Sequence, residues 1–117
     1  MSSHTYESEI SHLREDLDKL GIHYHEGLID AIISYLEPAI HNADAALVAC
    51  SDKTELATIK NNFLKGKLGL EDEEAMDKAI MEVCHHLGES NNKKHRATFY
   101  YLLVGLFKKE ELFLASK

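Results

Sequence analysis

The stretch Ser90–Phe107, SNNKKHRATFYYLLVGLF, constrains the fold of this chain more than any other. It reads as one helix that begins in a dense basic patch and then turns apolar on nearly every face. A helix that is hydrophobic all round has to be encased by other elements. Its apolar run, Ala97–Phe107, is 11 residues long and too short to span a bilayer, so protein must do the encasing. A chain of 117 residues is one domain by length, residues 1–117, and the other helices are expected to wrap the last one. The same stretch sets a problem. Lys93, Lys94 and Arg96 fall in the expected first turn, where the helix macrodipole favours acids. Either acids of the protein itself or an external anion must answer them.

Apolar spacing supplies the wrapping helices. Tyr6, Ile10, Leu13, Leu17 and Leu20 form one stripe, predicting a helix from about Thr5 to Leu20 that Gly21 ends. Leu28, Ile29, Ile32, Ile33 and Leu36 predict a second, which Pro38 stops. A short helical segment is expected within 39–49. Ser51 is placed as N-cap of a third helix, with Leu56, Ile59, Phe63 and Leu64 facing inward and Gly66 and Gly69 at its end. A fourth opens on the acids Glu71–Glu74 and carries Met76, Ala79, Ile80, Val83, Cys84 and Leu87. Ser90 or Asn91 then caps the last helix, and the tail folds Leu112 and Phe113 back onto the core. No period-two β-branched run, internal repeat or low-complexity linker occurs. The expected fold is all-α, a compact bundle of about five helices around a hydrophobic C-terminal helix.

Charge is segregated. Residues 1–50 hold 9 acids and 2 bases, whereas residues 51–117 hold 11 of each, giving a net charge of −7. An acidic chain is a poor candidate for general nucleic-acid binding, but its two halves can complement each other. Cys50 and Cys84 show neither a CxxC motif nor a disulfide-rich framework, and residues 1–20 have no apolar signal core. The expected state is therefore two reduced thiols in a cytoplasmic protein.

Two blocks resemble a small bacterial family known only as a domain of unknown function. The first comprises Cys50-Ser51-Asp52, Glu55-Leu56, Lys60-Asn61-Asn62-Phe63-Leu64 and Lys67-Leu68-Gly69-Leu70. The second comprises Ser90-Asn91, Lys93 and Arg96-Ala97-Thr98-Phe99-Tyr100-Tyr101-Leu102-Leu103. The resemblance covers roughly 38–107 and is only broad before that. Asn92 and His95 depart from it, where a base and an aromatic are the family's pattern. It implies a compact helical cytoplasmic protein and carries over no activity, cofactor or catalytic residue.

The remaining constellations give little chemistry. Ser90, Asn91, Lys93 and Arg96 at a helix start fit a phosphate or carboxylate site. The commoner arrangement for such a cluster is a solvated patch or an internal ion-pair network, here with the acids of 71–77 or of the first helix. His23-x-His25 and Cys84-His85-His86 hint at metal, yet adjacent helical histidines point about 100° apart, and no metal ligand is assigned. Asp16-x-Asp18 begins like a calcium loop, but Gly27 stands where the bidentate glutamate belongs. Glu71-x-Glu73 has Met76 in place of the turn glycine. There is no nucleophile elbow and no phosphate loop. The reading leans away from catalysis, with no catalytic residue and no cofactor. It favours a protein-interaction or self-associating domain presenting Lys60, Asn61, Asn62, Ser90, Asn91, Lys93 and Arg96. The alternative is a small-anion binder that uses the basic start of the last helix. No membrane association is expected, and nucleic acid is a poor fit.

Overall fold

The computed structural model describes residues 6–22, 25–36, 47–88 and 94–114. Six α-helices lie among them: α1 (Tyr6–Leu20), α2 (Glu26–Tyr35), α3 (Lys53–Thr58), α4 (Glu73–Leu87), α5 (Arg96–Leu106) and α6 (Glu111–Leu114). No strand occurs among the described residues. Their one β-type pairing is an isolated antiparallel bridge between Leu47 and His95. The expected segment within 39–49 lies largely outside the described residues, as does His23.

The apolar stripes are buried as their spacing requires. Leu13 and Leu17 of α1, Ile29, Ile32 and Ile33 of α2, and Met76, Ile80 and Val83 of α4 form one core with Phe99, Leu103 and Val104 of α5. Helix α5 packs against α1, α2 and α4. Its apolar circumference is thus enclosed up to Val104, whereas Gly105 and Leu106 at its end are exposed.

Local signals fix most helix ends. Asp52 accepts hydrogen bonds from the Thr54 and Glu55 backbone N–H groups at 3.0 and 3.3 Å. Asp72 accepts one from Ala75 N–H at 3.1 Å. The cap of α3 is therefore Asp52 rather than Ser51, since its carboxylate lies one residue nearer the open N–H groups. The fourth helix likewise begins at Glu73, two residues later than expected, behind its Asp72 cap.

Beyond Thr58 the chain continues as a π-helix, Ile59–Lys65. The wider turn lets Ile59, Phe63 and Leu64 all face the core while Asn61 and Asn62 stay exposed. Phe63 stacks on Tyr100 with ring centroids 3.9 Å apart and also meets Tyr35 and Phe113. Phe113 of α6 is buried, so the tail does fold back, whereas Leu112 points outward and is exposed. Lys67 lies 5.4 Å from the Tyr35 ring centroid and 5.1 Å from that of Phe113, covering the cluster with its cation.

The cysteines depart from expectation. Cys50 and Cys84, read as separate reduced thiols, are joined in a disulfide across a sequence separation of 34. Spacing could not show this, because the partners meet only when α4 packs beside the loop before α3.

Two stability outcomes follow from this packing. Phe63→Ala empties the aromatic cluster and should cost about 3–5 kcal/mol in urea unfolding, while Phe63→Leu costs clearly less. Reduction of the disulfide releases a loop of 34 residues. It should lower the unfolding free energy by about 3–4 kcal/mol, read as a lower midpoint in reductant than without it.

Candidate functional site

The start of the last helix is not built as its sequence reads. Val48 N–H donates to the Lys94 carbonyl at 2.8 Å, and Leu47 pairs with His95. This pairing holds Lys94 and His95 extended, so α5 begins at Arg96, several residues after the expected Ser90 or Asn91 cap. His95 occupies the N-cap position without a side-chain capping bond. Ser90, Asn91 and Lys93 lie outside the described residues. Lys94 is buried and not helical, so among the described bases only Arg96 stands in the first turn.

Arg96 is 8% exposed and its charge is engaged internally. Nη2 donates to Glu55 Oε1 at 2.8 Å and more weakly to the Leu47 carbonyl at 3.4 Å. Nη1 donates to the Tyr100 hydroxyl at 3.4 Å, and the guanidinium lies 5.8 Å from that ring's centroid. Burial works against the cation, but the hydrogen bonds to Glu55 and Tyr100 outweigh it, so the Arg96 pKa is raised. Burial likewise raises the Tyr100 pKa, against the opposing pull of Arg96. The guanidinium therefore has an internal carboxylate, and it comes from α3 rather than from the first helix or residues 71–77.

Lys60, Asn61 and Asn62 sit on the π-helix. Lys60 Nζ reaches Asp77 at 3.1 Å and Glu73 at 3.4 Å, and Lys65 reaches Glu73 at 2.8 Å. The hydrogen bond with Asp77 raises the Lys60 pKa, and those from Lys65 and Lys60 lower that of Glu73. This ion network clips the π-helix to α4. Arg96 is turned instead toward α3 and Leu47, so the two halves of the expected polar surface have different internal partners. Asn61 and Asn62 remain exposed.

A different surface has the shape of a site. Between the end of α1, the second half of α4 and the second half of α5 lies a groove of about 370 Å³. Leu20, Ile22, Val83, Tyr101, Leu102 and Leu106 line it, with Gly105 and His86. Leu106 is 46% exposed at its rim, and Ile22 is also exposed. A Cβ added at Gly105 would meet nothing within 4 Å, so the groove is bare at this position. The Tyr101 hydroxyl accepts from His25 N–H at 2.9 Å, which ties the groove wall to the start of α2. Sequence reading missed this surface because it joins three helices. The available signal was Leu106 and Gly105 at the end of a helix expected to be wholly enclosed.

Removing the carboxylate from Arg96 tests its internal role. Glu55→Ala should destabilise the fold by about 3 kcal/mol, because it takes away the carboxylate that holds a largely buried cation. The double variant Glu55→Leu with Arg96→Met should recover most of that loss in urea unfolding.

No curated protein is similar enough to the chain to count as a relative. A family profile matches far more of it than the two motif blocks, reaching back into α1. That family is described as a protein of unknown function, DUF2853, and since its profile spans residues 11–111 the chain belongs to it.

Proposed function

We propose that the chain is a non-catalytic interaction domain that receives a short apolar segment of a partner protein in the groove between α1, α4 and α5. The observation that carries this is the groove itself: about 370 Å³, apolar in lining, open at Gly105 and rimmed by exposed Leu106. A volume near the lower end of the range for binding clefts takes only a few side chains. A stable interface buries about 800 Å² on each partner, so contact through this groove alone is weak and transient. The net charge of −7 disfavours a second copy of the same chain and favours a neutral or basic segment.

The proposed setting is the bacterial cytoplasm, on the family resemblance. No helix among the described residues is long and apolar enough to cross a membrane. The Cys50–Cys84 bond is the observation that weighs against the cytoplasm, where disulfides are uncommon. Acid-quenched alkylation of whole cells, followed by mass spectrometry, separates the two cases: both cysteines alkylated places the chain in a reducing compartment.

Panning a displayed random-peptide library on the folded domain tests the function. The expected binders carry apolar residues at helical or alternating spacing and lose at least about tenfold in affinity against Leu106→Glu and Gly105→Phe. Binders indifferent to both variants, or none at all, overturn the groove. Light scattering across concentration tests self-association separately, and the expected result is a monomer.

A further inference from the structure

Among the described side chains of α1, Glu9 is buried although it lies outside the apolar stripe. It is 0% exposed, as deeply buried as Leu13 and Leu17. Removing a carboxylate from water costs several kcal/mol unless cationic partners answer it. Two imidazoles converge on it. His12 stands one turn along the same face of α1, and His95 arrives from the residue just before α5. Glu9 Oε2 lies 3.9 Å from His12 Nδ1, and Glu9 Oε1 lies 3.8 Å from His95 Nδ1. The two rings are 4.5 Å apart and tilted by 31°. One donor atom from each residue fits within a mutual distance of 4.8 Å. His12 Nδ1 is buried and makes no hydrogen bond among the described residues.

We infer that Glu9, His12 and His95 form a binding site for one divalent first-row transition metal ion, of which zinc is the representative. Zinc bonds to imidazole nitrogen and carboxylate oxygen are about 2.0–2.2 Å long, which sets neighbouring donors roughly 3–3.5 Å apart. The present distances of 3.8 and 3.9 Å exceed a hydrogen bond, and with all three donors within 4.8 Å of one another an inward shift of roughly 0.5–1.5 Å brings them to the spacing of a bound ion. Two imidazoles and one carboxylate select zinc, iron or cobalt over calcium and magnesium, which prefer oxygen ligands. Three protein donors leave at least one position for water or another small ligand. His12 is 36% exposed and His95 15%, so the ion reaches the buried carboxylate from solvent past the imidazole rings. The ion links α1 to the residue that opens α5. It neutralises the Glu9 carboxylate without requiring either imidazole to be protonated.

The test uses the full chain without a histidine tag, stripped with chelator and dialysed. Zinc titration by calorimetry is expected to give about one equivalent per chain, with a raised Tm, since a ligand of the native state stabilises it. Cobalt in its place should give visible d–d absorption. His12→Gln should weaken zinc binding at least about tenfold while leaving helicity unchanged, because this ring is partly exposed. Glu9→Gln and His95→Gln should do the same where they fold. His86→Gln, at a histidine outside the cluster, should bind as the parent chain does. The alternative is an imidazolium paired with the Glu9 carboxylate and no ion. Uptake of much less than one equivalent, or binding that survives His12→Gln unchanged, establishes that alternative and overturns the site.

Discussion

The structure depends on enclosing α5. A helix that is apolar on nearly every face needs cover on most sides, and α1, α2 and α4 supply it along most of its length. Enclosure has a consequence at its polar end. The start of α5 cannot be left in water while the rest is buried, so its polar residues are carried inward and each must be satisfied there. Arg96 meets Glu55 of α3. Thr98 is fully buried and donates to Asp16 of α1 at 2.7 Å. His95 faces Glu9 of α1. The acids of α1 and α3 that look misplaced on partly buried faces are the answers to polar groups at the beginning of α5.

This explains why the unfavourable sign of the first turn is tolerated. The dipole at a helix start is worth less than about 1 kcal/mol at the surface. A partly buried arginine that holds a carboxylate and a tyrosine hydroxyl is governed by those neighbours instead. The extended pairing of Leu47 and Val48 with Lys94 and His95 adds a second constraint, since it fixes where the helix can begin.

What could be read from the sequence was what rests on neighbours along the chain. The stripe of α4, the inward residues Ile59, Phe63 and Leu64, and the all-α class depend on periodicities of three and four. What could not be read depends on chain segments far apart. The start of α5 was misplaced because Leu47, almost 50 residues away, holds Lys94 and His95 out of the helix. The disulfide needs α4 beside the loop that precedes α3. Glu9 and His12 did show an i, i+3 pair of potential ligands, but nothing local points to His95. Charge segregation was informative only in part. Glu9 and Asp16 reach across to the second half, whereas Arg96, Lys60 and Lys65 find acids within their own half.

The enclosing helices also account for where a partner can be received. The start of α5 is tied to α1 through Glu9 and Asp16 and to α3 through Glu55. Near the opposite end, Gly105 removes a side chain from the surface of the same helix, and Leu106 is left partly in solvent. Helix α1 terminates at Leu20 with Gly21 in a left-handed conformation, φ 72°, and Leu20 and Ile22 on either side of it line the groove. One end of α5 is therefore closed by polar bonds between distant residues. The other is apolar and incompletely covered, and such a face gains by being covered from outside.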